Sequence, residues 1–266
     1  QPNAMGGREV GGLANMLACH LDIENSDHRA AVQEFWSSPT LPEQAGLKAV
    51  DMFRAVEDGR IKALWVIHSN PAVTLPDADF VQSAIANCPF VVVSDITRQT
   101  DTARLADVFL PAAAWAEKSG TVTNSDRTIS RQRNVLPMPG EAKPDWQILA
   151  EVGRRMGWEE AFAFDNPASI YAEYAAMSAI SGQFGRDFDI SATADMSAED
   201  YAEMQPFRWP ASASKQGGRF FADGGFFHAD GQARMLPLTA KPPASKQSPK
   251  YPYRLNTGRL RDQWHT

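Results

Sequence analysis

Asn70 and the pair Ser94 and Asp95 stand at the ends of two short apolar runs, residues 61–68 and 90–94. If those runs are parallel strands, a carboxamide and a carboxylate arrive on one rim, where open parallel sheets take their ligands. A carboxylate there can accept two protons at once, as from the Watson–Crick edge of a guanine. The same residues are equally explained as turn formers, Asp95 as a cap and Asn70 as the residue ahead of Pro71.

Lys118 sits in the run Trp-Ala-Glu-Lys-Ser-Gly-Thr-Val-Thr-Asn, residues 115–124. A lysine before a glycine-containing loop rich in backbone donors can hold a phosphate, and it can also be a solvated turn. Asp145 opens an apolar-periodic segment, where a carboxylate satisfies free helix amides. Arg8 lies among Gly6, Gly7, Gly11 and Gly12, which let backbone approach closely; it can meet a small anion or face water. The last ten residues, Thr257, Gly258, Arg259, Leu260, Arg261, Asp262, Gln263, Trp264, His265 and Thr266, combine anion contacts, a stacking ring and several donors. They also read as a polar exposed loop.

The elements that must position these groups follow from periodicity. The glycine-rich opening reads as a loop, with a helical run over 13–20. A polar loop reaches Pro42, a first-turn proline, and Leu47, Val50, Phe53 and Val56 recur at helical spacing up to Gly59. Residues 61–68 and 90–94 read as strands flanking an amphipathic helix over 77–87, a unit that predicts parallel pairing with a right-handed crossover. A third strand is expected at 108–110. Residues 118–133 read as a polar loop, 145–158 and 168–179 as helices, and 198–204 as a short helix in an otherwise loop-like stretch. Residues 219–238 have hairpin-like order, 241–250 form a Pro/Ser/Lys linker, and 251–256 read as a strand. The fold class expected is α/β, a doubly wound, Rossmann-like parallel-sheet part followed by the start of a β-barrel. The expected divisions are 1–115, 116–205 and 206–266.

Composition excludes some functions. A net charge of -6 disfavours nonspecific nucleic-acid binding, which needs surplus Lys and Arg. Cys19 and Cys88 are too far apart and too few for a cluster or structural zinc. No apolar run is long enough to cross a bilayer. The chain opens on Gln1 rather than Met, which reads as the middle of a longer protein, so the absence of a targeting signal from these residues excludes none in the parent.

Several spaced blocks agree on one family. QPNAMGGREVGG from Gln1, VIHSNPAVTLPD, VVVSDIT, ADVFLPAAAWAEKSGTVTNSDRTISR, PGEAKPDW and LNTGRLRDQWHT resemble, in order, the catalytic subunit of bacterial assimilatory nitrate reductases. That family carries molybdenum on two molybdopterin guanine dinucleotides. The resemblance implies two-electron reduction of nitrate to nitrite in the cytoplasm, with an electron-donor protein or subunit as partner. It implies that Ser94 and Asp95, with Asn70 beside them, bind the guanine end of one dinucleotide. Lys118, Asp145 and residues 257–266 match further cofactor-binding positions, and Arg8 matches an arginine near the metal that meets the substrate anion.

The departures are specific. The family's N-terminal cysteine motif for a 4Fe-4S cluster is absent, as is the segment with the molybdenum-ligating cysteine. The expectation is therefore a fragment with part of a cofactor cradle, no metal ligand and no turnover by itself. Formate dehydrogenases and periplasmic nitrate reductases share the dinucleotide motifs, and a noncatalytic α/β binding module is the alternative from another class.

Overall fold

The structure is a computed structural model and describes residues 3–256. Two units are distinguished, Gln1–Gly218 and Arg219–Thr266. The first is built around two three-stranded sheets.

The chain opens with α1 (Ala4–Glu9), a short 3-10 turn at Ala18–His20 and α2 (Ser26–Phe35). The glycine-rich start is thus a helix rather than a loop. Gly6 permits it, because a Cβ there would lie 2.1 Å from Asn3 Oδ1. The helix expected over 13–20 contracts to the 3-10 turn, because Cys19 and His20 both have positive φ, which breaks a right-handed helix. The polar stretch before Pro42 contains α2. Its signal was a cap rather than an apolar face: Asn25 Oδ1 accepts from Asp27 and His28 amides, while only His28 and Val32 are buried. Pro42 opens no helix. The next one, α3 (Ala49–Glu57), begins seven residues later and stops before Gly59 at φ +77.

The first sheet follows as predicted. It comprises β1 (Leu64–Ile67), β2 (Val91–Asp95) and β3 (Val108–Pro111), with α4 (Pro71–Thr74) and α5 (Ala78–Asn87) between the first two strands. The strands pair in parallel in the order β1-β2-β3, with Leu64 opposite Val91 and Val92 opposite Val108. Alternation sorts the side chains. Leu64, Val66, Val91 and Val93 join Phe53 and Val56 of α3 and Val81, Ala84 and Ile85 of α5 in one core. Each fully buried aliphatic there is worth roughly 1.5–3 kcal/mol. Beyond β3, Ala112 forms one further parallel bridge with Lys143.

The second sheet corrects the loop expected over 118–133. β4 (Gly120–Thr123) and β5 (Thr128–Gln132) form an antiparallel hairpin, and β6 (Phe207–Arg208) adds to it. Its polar sequence suits a half-exposed ladder, and the turn is set by Asn124, whose Oδ1 accepts from Asp126 and Thr128 amides. The remaining helices are α6 (Asp145–Arg155), α7 (Pro167–Gln183, capped by Asn166) and α8 (Ala198–Glu203, capped by Ser197).

In the second unit, the described residues 219–256 form no helix or strand. The expected hairpin reduces to a turn in which the Phe226 amide donates to Gly231 O at 2.8 Å. Phe221 stacks on Phe226 with ring centroids 4.8 Å apart. Residues 251–256 carry strand-like side chains, but no strand lies beside them among the described residues to take up their amides. No barrel closes among the described residues, so the architecture is mixed α/β with one parallel and one antiparallel sheet.

Candidate functional site

The carboxyl ends of β1, β2 and β3 form a rim, and the polar residues flagged by type gather along it. β1 ends in His68-Ser69-Asn70. Asn70 Oδ1 accepts from Thr102 Oγ1 at 2.7 Å and from the Thr102 amide at 3.2 Å, while its carbonyl accepts from the Val73 and Thr74 amides of α4. Thr102 is fully buried, and its Oγ1 in turn accepts from the Ala72 amide at 3.1 Å. Asn70 therefore pins the loop after β1 to the loop after β2.

At the end of β2, Ser94 is enclosed and its Oγ accepts from Trp65 Nε1 at 2.8 Å. Asp95 Oδ1 accepts from the Ile96 amide at 2.7 Å, and Oδ2 faces Thr100 Oγ1 at 3.4 Å. Thr100 Oγ1 also accepts from the Ala103 amide. Asn70 and Asp95 are thus held by one short segment, through Thr102 and Thr100. Both act as turn residues in this geometry. Each retains capacity beyond that: a carboxylate offers about four acceptor sites, and no described hydrogen bond uses the Asn70 amide nitrogen.

Lys118 and Asp145 meet directly, Nζ to Oδ2 at 2.5 Å. Lys118 precedes β4 and Asp145 opens α6; the bridge of Ala112 to Lys143 brings the two segments together. His68 joins them, its Nε2 2.5 Å from Asp145 Oδ1. Burial pushes the Asp145 carboxyl up, but the contacts from His68 and Lys118 outweigh that and hold it below the usual range. His68 was missed by sequence reasoning, although a histidine directly after a strand, two residues before Asn70, was the available signal.

Arg8 lies elsewhere. It is exposed on α1, and no described hydrogen bond or ion pair joins it to the rim. Its neighbour Glu9 is completely buried. Glu9 Oε1 accepts from Trp209 Nε1 at 2.5 Å, and Oε2 accepts from Thr123 Oγ1 at 2.7 Å and Tyr174 OH at 3.1 Å. Burial raises the Glu9 carboxyl above the ordinary range, against these three hydrogen bonds. Burial, with the nearby charges of Glu9 and Asp189, pushes the Cys19 thiol up to about 12, so it is not an ordinary nucleophile. His20 is lowered by burial and by the charges of Arg8 and Arg186, which places Arg8 in its electrostatic surroundings. Gly11 near Arg8 serves packing: a Cβ there, at φ +76, would meet Leu17 and Ala18 backbone at 2.6 Å. Residues Thr257, Gly258, Arg259, Leu260, Arg261, Asp262, Gln263, Trp264, His265 and Thr266 lie outside the described residues.

Among the described residues, no three His, Cys, Asp or Glu side chains converge as a metal site, and no helix is long and apolar enough to cross a membrane.

Comparison with known proteins gives these features a context. The family model described as molybdopterin oxidoreductase matches residues 3–155. The chain is 47% identical over its whole length to a nitrate reductase of Klebsiella oxytoca, covering 30% of that protein. It is 45% identical to one of Shewanella frigidimarina (strain NCIMB 400), covering 29%. The F420-dependent formate dehydrogenase subunit alpha of Methanocaldococcus jannaschii is 30% identical, with all of this chain and 37% of that protein covered. The chain thus spans about a third of the length of the curated relatives it matches. In fold, it is similar to acetylene hydratase from Pelobacter acetylenicus, with a TM-score of 0.50 at 22% identity over 69% of this chain and 23% of that one.

Proposed function

The chain belongs to the molybdopterin oxidoreductase family, and from that premise we propose that it is the part of a cytoplasmic, assimilatory-type nitrate reductase that supplies one side of a guanine dinucleotide cradle and the substrate's approach. The carrying observation is the gathering of Asn70, Ser94, Asp95, Lys118 and Asp145 along the carboxyl ends of three parallel strands. Nitrate reductases at 47% and 45% identity support nitrate over formate, whose enzyme stands at 30%.

The residues fit the nucleotide unequally. Asp95 has acceptor capacity left for a guanine N1–H and amino group, and Lys118 brings a cation suited to phosphate. Asn70 can donate its amide while its oxygen stays on Thr102. Ser94 fits less well as a direct contact, because Trp65 already occupies its enclosed hydroxyl; its contribution is the course of the chain into Asp95. Residues 257–266 would add the second dinucleotide contact region. In this reading the chain divides at 115 and 205.

The bound cofactor, molybdenum on two molybdopterin guanine dinucleotides, supplies oxygen-atom transfer and the two electrons that convert nitrate to nitrite. This chain's residues hold the dinucleotide, and Arg8 attracts and orients the anion with a fixed guanidinium charge. The ligands of molybdenum and of a 4Fe-4S cluster, and the contact to an electron-donor protein or subunit, belong in this reading to other parts of the parent protein. The fragment alone is inactive.

Asp95→Asn in the full-length parent tests the reading. Asn preserves size and turn character but points donors at guanine donors, so molybdenum per protein should fall while the cofactor-free protein melts unchanged. Full molybdenum in the variant means that Asp95 only caps its turn.

A further inference from the structure

His68 has a geometry that turn formation does not explain. Its backbone lies in the left-handed region at φ +48, and its amide donates to Ser94 O at 2.9 Å, carrying the β1–β2 pairing one residue past the strand. Non-glycine residues held there are uncommon and concentrate where a side chain must be aimed. The imidazole is aimed at Asp145, as is the Lys118 ammonium, so each carboxylate oxygen has one nitrogen 2.5 Å away. The three side chains keep 30%, 22% and 26% of their surface open, so the cluster faces the rim rather than the core.

The two contacts differ in kind. Lys118 makes a directed hydrogen bond to Oδ2. His68 Nε2 approaches Oδ1 out of line, and Oδ1 has no aligned donor although it is shielded from solvent. The imidazole is therefore held in place by Asp145 while part of its surface stays open at the rim. A positioned donor beside a lysine, at a strand end next to Asp95, suits an anion that spans more than one oxygen.

We propose that His68 Nε2 and Lys118 Nζ form a two-point clamp for the diphosphate of a guanine nucleotide, with Asp145 as the positioning carboxylate that sets their spacing. The clamp rests on the dinucleotide-cradle reading above and adds His68 and the diphosphate to it. A diphosphate accepts from both nitrogens at once, whereas a single-point lysine would leave its orientation free. Lys118 and His68 both face Asp145 in the structure as it stands, so the clamp is preassembled.

The test uses the cofactor-free full-length parent chain and two probes, GDP and inorganic diphosphate, titrated by calorimetry. His68→Asn keeps a residue that tolerates left-handed backbone and removes the imidazole. It should weaken both probes about tenfold, the loss expected for one charge-assisted hydrogen bond. Asp95→Asn should weaken GDP and leave diphosphate alone. Unchanged diphosphate affinity in His68→Asn, while Asp95→Asn still loses GDP, overturns the clamp and leaves the cradle reading standing. A wild-type chain that binds neither probe overturns the cradle and the clamp with it. Should His68→Asn fold poorly, the unmodified chain decides: its His68 imidazole resonances must shift on adding diphosphate, and their staying fixed overturns the clamp.

Discussion

The rim of the parallel sheet and the cluster around Glu9 treat charge in opposite ways. At the rim, Asp145 is flanked by Lys118 and His68, all partly open, and the carboxylate is met by the lysine's opposite charge and by an imidazole. Around Glu9 a single carboxylate is sealed in and met only by neutral donors from β4, α7 and Trp209. A partly open ion cluster can exchange its partners for a ligand's oxygens at modest cost, because water can cover whatever is left unpaired. A sealed carboxylate cannot, since each hydrogen bond it loses strands a buried polar group. The first arrangement suits recognition. The second suits tying four parts of the chain into one scaffold beneath Arg8.

That contrast breaks most easily at Glu9. Glu9→Leu keeps an apolar volume of similar size but leaves Trp209 Nε1, Thr123 Oγ1 and Tyr174 OH without their acceptor. The expected loss is about 3 kcal/mol or more, read as a lower urea midpoint at unchanged slope. A loss no larger than that from Lys118→Met, which breaks a partly open ion pair that water can re-cover, would erase the distinction between scaffold and recognition site.

The two regions also differ in how far they could be read from sequence. The rim was legible because its signals are local: an apolar run ends, and Asn70 or Asp95 follows it at once. The parallel register then places both on one edge by topology alone. The Glu9 cluster was not legible. Its partners lie 114, 165 and 200 residues away, and nothing near Glu9 distinguishes it from a solvated glutamate beside an arginine. The hairpin at β4 and β5 was missed for another reason: half-exposed strands rich in Thr, Ser and Arg have no apolar alternation to betray them. The pairing of Lys118 with Asp145 lay between these cases. Both residues were flagged, each for a local reason, but only the Ala112–Lys143 bridge brings them to one carboxylate.

Arg8 sharpens the comparison at intermediate size. It is exposed and rides on the helix that Glu9 anchors, so its guanidinium is free to act while its backbone is fixed. In the full-length parent, Arg8→Ala should lower kcat/KM for nitrate by roughly tenfold to a hundredfold, the loss of a charge-assisted contact worth about 1.5–3 kcal/mol. Molybdenum content and melting temperature should stay near wild type. Loss of molybdenum or of stability would instead make Arg8 part of the scaffold, with Glu9.

The smallest effect is a pair of opposite slopes with pH. Burial raises the Glu9 carboxyl, whereas the contacts from His68 and Lys118 leave Asp145 lowered despite its own burial. In the unfolded chain both titrate near the ordinary carboxylate value of about 4. Between that value and its raised one, folded Glu9 keeps a proton that the unfolded chain has lost. Its contribution is therefore full below the ordinary value and fades as pH rises through the raised one. Asp145 runs the other way: its contribution is present above the ordinary value and fades as pH falls through the lowered one. Urea midpoints taken from pH 7 to pH 3 should therefore include a gain from Glu9 on mild acidification and a loss from Asp145 at the acid end. Glu9→Gln should remove the first limb and keep the second, and Asp145→Asn should do the reverse. Each variant subtracts one titration from an otherwise unchanged background, so curves that merely run parallel to wild type would mean that neither carboxylate differs between the folded and unfolded chain. The opposition between a sealed carboxylate and an ion-paired one would then have no thermodynamic content.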